Sequence, residues 1–126
     1  MDQMNLSEEL NKIRGRNTDV SSTTLLKTET LRVVLMALRA GAALHRHHAD
    51  GRLSLQVLEG EIELSAEGAQ AYLTQGMLIG LEARVLHEVV ALSDSALLLT
   101  IAWPSEEGRK EQAEASEHRT VGYSRE

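Results

Sequence analysis

The stretch Gly41-Ala-Ala-Leu-His45-Arg-His47-His48-Ala-Asp50-Gly51-Arg-Leu-Ser-Leu-Gln-Val-Leu-Glu59-Gly60 decides how this chain is read. Glycines bracket it, and the turn dipeptide Asp50-Gly51 divides it. Residues i and i+2 of a strand point to one face, so His45 and His47 can share one ion. A second stretch, Gly76-Met-Leu-Ile-Gly-Leu-Glu82-Ala-Arg84-Val-Leu-His87-Glu88-Val-Val-Ala91, repeats the logic of a glycine, a strand and a histidine. Neutral imidazole is the commonest protein ligand for transition metals. His45, His47 and His87 are therefore the expected metal ligands. His48 has the opposite parity from His47 and is expected beside the site or facing solvent.

Short β-like runs with glycine-marked turns extend outward from these segments. Thr23 to Lys27, Leu31 to Leu38, Leu53 to Leu58, Glu61 to Ser65, Ala71 to Leu73, Met77 to Leu81, Val85 to Ala91 and Ala96 to Trp103 read as strands. Leu31 to Leu38 is apolar on both parities except for Arg32, which predicts burial on both faces. Glu59-Gly60 and Glu67-Gly68 are tight turns. No helical period interrupts the series, so an all-β sandwich or barrel is expected and a parallel α/β sheet is disfavoured. Before it, Asn5 to Arg14 reads as a helix, with Asn5 or Ser7 as cap, Glu8 and Glu9 in the first turn and Lys12 and Arg14 in the last. Leu6, Leu10 and Ile13 form its apolar stripe. Pro104 ends the last strand, and Ser105 to His118 is a charged segment of possible helical character. The expected organisation is a helix and connector at 1–22, a barrel at 23–104 and a charged tail at 105–126.

Composition excludes several functions. The 126 residues carry a formal net charge of −6 with no basic stripe, which disfavours nucleic acid. No apolar run approaches the roughly 20 residues of a membrane span, and the first residues lack the pattern of a secretory signal. With no Cys there are no disulfides, thiolate ligands or thiol nucleophiles. A cytoplasmic location is the default expectation. Aromatic residues make up only 2% of the chain, so core and pocket must be aliphatic.

The two stretches resemble the motifs of the cupin family, small barrels of the double-stranded β-helix or jelly-roll type. The first family motif runs G-x5-H-x-H-x3-4-E-x6-G, and Gly41 and Gly60 have the separation it requires. The second runs G-x5-P-x-G-x2-H-x3-N, and Gly76, Glu82, Arg84, His87 and Ala91 fall on its marked positions. The chain departs from both. Its histidine pair sits two residues nearer Gly41 than the pattern has it. Either His47 takes the first histidine slot with His45 one inward position upstream, or the Asp50-Gly51 loop is longer and the pair keeps its usual place. The slot of the metal-binding glutamate holds Leu53, while Ser54 and Gln56 face the other way by parity. In the second motif Glu82, Arg84 and Ala91 replace Pro, Gly and Asn, and His87 remains.

The resemblance implies a barrel that binds a divalent transition metal and a small-molecule ligand, and a homodimer in which the N-terminal helix and strand are exchanged. Three imidazoles suit Zn, Ni, Fe, Cu or Co, and leave open positions for a substrate oxygen or O2. Two functions follow: a metal-dependent enzyme of dioxygenase or isomerase type acting on a small metabolite, or a metal-free module that binds or senses an apolar or anionic ligand. Glu82, Arg84 and Glu88 are expected at the surface, and Arg39 on the solvent side.

Overall fold

The structure, a computed structural model, describes residues 1–104, with the backbone alone for Arg46 and His47. The expected helical segment from Ser105 and the tail at 105–126 lie outside the described residues. The described residues form one helix, α1 (Leu6–Arg14), and nine strands. These are β1 (Val20–Lys27), β2 (Leu31–Leu38), β3 (Ala43–His47), β4 (Arg52–Glu59), β5 (Glu61–Ala66), β6 (Ala69–Thr74), β7 (Leu78–Leu81), β8 (His87–Ala91) and β9 (Ser95–Ala102).

The helix forms where its capping chemistry predicts. Asn5 accepts a hydrogen bond from the Glu8 backbone N–H at 3.0 Å, and Glu8, Glu9, Lys12 and Arg14 complement the helix dipole. Leu10 and Ile13 are buried, whereas Leu6, at the open end of the stripe, is exposed. The buried pair packs with Leu35, Ala37 and Ala96 on the outer face of β2 and β9. This explains the double apolar parity of β2. Leu35 and Ala37 meet the helix, while Val34, Met36 and Leu38 turn to the barrel interior.

All strands pair antiparallel in two sheets, of order β1-β2-β9-β4-β7 and β3-β8-β5-β6. Each middle strand alternates as a half-buried strand should. In β4, Leu53, Leu55 and Val57 are buried between the more exposed Ser54, Gln56 and Leu58. In β5, Ile62 and Leu64 do the same. The inward residues of both sheets join one aliphatic core, closed at one side by Trp103, over whose ring the Arg32 guanidinium lies at 5.8 Å. The result is an all-β jelly roll of two facing sheets. β1 starts at Val20, three residues before the run the sequence suggests, because the small polar Ser21 and Ser22 pair with Ala37 and Met36.

Two glycine turns differ in what surrounds them. Gly60 (φ +85°) sits so close to the Asp94 carbonyl and to Ser95 that a Cβ there meets backbone and hydroxyl atoms. Gly68 (φ +76°) follows Glu67 (φ +51°) in the β5–β6 hairpin, a primed turn with open space around it. Gly60→Ala should therefore cost about 2–4 kcal/mol from left-handed strain plus crowding. Gly68→Ala should cost only about 1 kcal/mol, from strain alone. Urea unfolding of the two variants checks this, and equal losses would refute it.

Candidate functional site at the barrel mouth

The site begins with the pairing of β3 and β8. Ala43 and Leu44 pair with Val90 and Val89, but the next register pair is His47 with His87. Two residues of β3, His45 and Arg46, thus stand against Glu88 alone. That is a β-bulge, and it resets the alternation of the strand. Before it, Leu44 packs against the core. His45 follows on the other side and is exposed. The shared-face argument for His45 and His47 therefore does not carry through the bulge. The structure sets the backbone of His47 opposite that of His87, with His45 in the bulge beside them in sequence. His48, expected beside the site or facing solvent, is 3% exposed and so does not face solvent, and Ala49 is likewise 3% exposed.

His87 opens β8 and is 2% exposed. Its Nδ1–H donates to the Val85 carbonyl at 3.0 Å. A carbonyl can only accept, so in the neutral ring Nε2 carries the lone pair, the form a metal or a ligand hydroxyl uses. The strand expected from Val85 starts two residues later because Ala83 and Arg84 form a turn. The Arg84 N–H donates to the Ala49 carbonyl at 2.7 Å and so joins the second motif to the first.

Arg84 is not the surface residue expected. Its φ is +67°, in the left-handed region. This is the slot where the family motif has glycine, and the backbone supplies the reason. An arginine there costs roughly 1–3 kcal/mol of strain. It is also half-buried, and its Nη1 is enclosed with no hydrogen-bond partner among the described residues. A buried unpaired donor adds about 1–3 kcal/mol. Asp50, next to Ala49, forms no ion pair with it among the described residues, and its Oδ1 is likewise buried without a hydrogen-bond partner. The other charged candidates behave as expected. Glu82 pairs with exposed Arg52 at 2.9 Å, and Arg39 reaches Asp19 and the Arg16 carbonyl. Glu88 alternates outward between buried His87 and Val89.

Arg84 and His87 line one recess of about 540 Å³ at the mouth, walled by Ser65 to Gly68 and by Arg84 to Glu88. Ala66 is the register partner of His87 across β5 and β8. The recess is of a size that takes a small metabolite.

The donor set for a metal is incomplete in the described side chains. Counted from Gly41, the family's second histidine slot is Ala49 and its glutamate slot Leu53, and both lie in the aliphatic core, Leu53 at 4% exposure. Ser54 and Gln56 pair with Gly80 and Leu78 on the other face of β4, as their parity predicts. Among the described residues no three His, Asp or Glu side chains come together as a metal site.

Sequence reasoning missed Arg84. The available signal was an arginine in a slot that the family fills with glycine.

No protein-family model matches the sequence, and no curated protein does. The fold has many solved counterparts. An RmlC-like cupin from Desulfovibrio desulfuricans is 28% identical, matched over 81% of this chain and 96% of its own, at a TM-score of 0.70. The SPY1581 protein of unknown function from Streptococcus pyogenes is 21% identical over 82% and 89%, at 0.71. Salicylate 1,2-dioxygenase from Pseudoaminobacter salicylatoxidans is 19% identical over 87% of this chain and 32% of its own, at 0.64. The last two share the fold alone. The two glycine-bounded motifs, closed into facing sheets as in these proteins, give this chain the cupin fold.

Proposed function

We propose that this cupin binds a small organic molecule in the recess at the barrel mouth, with His87 as the polar anchor of the site. The observation that carries the reading is the buried His87 ring, fixed by the Val85 carbonyl and lining a metabolite-sized recess. The interior beneath is packed mainly with aliphatic side chains, and the recess at the mouth is larger than those beside Arg39 and beside Trp103. We assign binding and no catalytic step. No helix of the described residues is long and apolar enough to cross a membrane.

A metal-assisted form of this function has its own supporting observation, the register pairing of His47 with His87. A dioxygenase with this fold offers a precedent for chemistry in such a barrel. In that form His47 and His87 would hold the ion, with His45 the third expected ligand. Zn, Ni, Fe, Cu and Co remain the ions suited to imidazole. We also propose the homodimer that the family resemblance implies. Apolar residues exposed near the open edges of both sheets, Tyr72 and Leu78, are consistent with it.

Three measurements test these readings. In amide NMR spectra of the full chain, a mixed set of small organic probes should shift residues 65–68 and 84–88, and His87→Ala should weaken the response at least several-fold. Shifts confined to other regions would refute the recess. For the metal, untagged protein dialysed against zinc should retain close to one equivalent and lose it in both His47→Ala and His87→Ala. Retention in both variants, or none in the parent, ends the metal reading. Sedimentation equilibrium at micromolar concentration should return twice the 13.9 kDa chain mass; a monomer would end the dimer proposal.

A further inference from the structure

We infer that Arg84 makes the recess a receptor for a small aliphatic monocarboxylate, with the guanidinium gripping the carboxylate and Ala66, Val85 and Leu86 holding the apolar body. The inference rests on the proposed recess and names the chemical class of its ligand.

Arg84 carries two costs with no structural return. Its backbone occupies a left-handed position that glycine would fill without strain. Its Nη1 is buried and unpartnered among the described residues. Strain and an unsatisfied polar group at one residue are the pattern expected where a side chain is kept for a ligand. The guanidinium is always charged and presents a planar fork that matches a carboxylate, and none of the ion pairs in the described residues involves it.

The walls define the rest of the ligand. Val85, Leu86 and Ala66 are aliphatic, and Leu86 is exposed beside the recess. No Phe, Tyr or Trp among the described residues lines the space, so a large flat base has little to stack on. Glu67 and Glu88 also border it. Their charges oppose a second negative group on the ligand, which selects a monoanion over a phosphate or a dicarboxylate.

The test uses the full isotope-labelled chain, three probes and three variants. Sodium hexanoate has the proposed chemistry, 1-hexanol keeps the apolar body without the charge, and inorganic phosphate keeps charge without the body. Hexanoate should shift the amides of residues 65–68 and 84–88 and bind at least tenfold more tightly than hexanol, with phosphate weaker still. Arg84→Gly should lose that tenfold preference while its melting temperature holds or rises, because glycine relieves the left-handed strain. Arg84→Gln, which keeps bulk without charge, should lose the preference as well, and Arg84→Lys should retain only part of it. Hexanoate binding unchanged in Arg84→Gly and Arg84→Gln would overturn the inference. So would hexanol or phosphate binding the parent as tightly as hexanoate; in the hexanol case the recess itself survives as a ligand site. If neither hexanoate nor hexanol perturbs the recess, the inference falls, and the broader probe set decides separately whether the recess binds anything.

Discussion

One extra residue in β3 governs what the barrel mouth can hold. Up to Leu44 the strand runs in step with β8; continued without change, that register would set Arg46 opposite His87. The bulge at His45 and Arg46 moves the partner of His87 to His47 instead. It also leaves His45 on the exposed side. A bulge forfeits part of a ladder and bends its strand, and such irregularities concentrate at barrel rims and binding sites. Here it brings a histidine position of β3, in place of an arginine position, opposite the histidine that opens β8. The bond from the Arg84 N–H to the Ala49 carbonyl, just beyond the bulge, ties the turn of the second motif to the altered strand.

The aliphatic replacements nearby belong to the same arrangement. Ala49 and Leu53 lie in a core of Leu, Val and Ile. A carboxylate at position 53 would have to be paired or coordinated to be tolerated there, since an isolated buried charge costs several kcal/mol or neutralises itself. Leucine removes that requirement.

Much of the architecture was legible in the sequence because its signals are local. Asn5, Glu8 and Gly15 mark the helix, Leu31 to Leu38 declares burial on two faces, and the glycines at 41, 60, 68 and 76 all adopt positive φ. The site was less legible because it depends on register, which no short-range pattern encodes. Period-two alternation put His45 with His47, and a bulge breaks that period without leaving a proline or glycine to announce it. His48 follows the last residue of β3, where strand parity no longer applies, and the fold buries it. Arg84 was visible as a departure from the family's glycine. Its half-buried position emerges only when the turn at 83–86 closes over Ala49, a contact between residues far apart in sequence.

Electrostatics at the mouth is short-ranged. A chain with net charge −6 repels anions at a distance, but exposed charges are screened beyond roughly 8 Å at physiological salt. An anionic ligand would therefore gain no long-range steering and would arrive by ordinary diffusion. Its retention would depend on the last few ångströms, where Arg84 is enclosed and the dielectric is lower than in water. The rim carboxylates Glu67 and Glu88 then sharpen selection, because they penalise each additional negative charge while leaving an apolar body untouched. A single enclosed cation inside an acidic rim thus favours a ligand that carries one charge at one end and hydrocarbon along the rest.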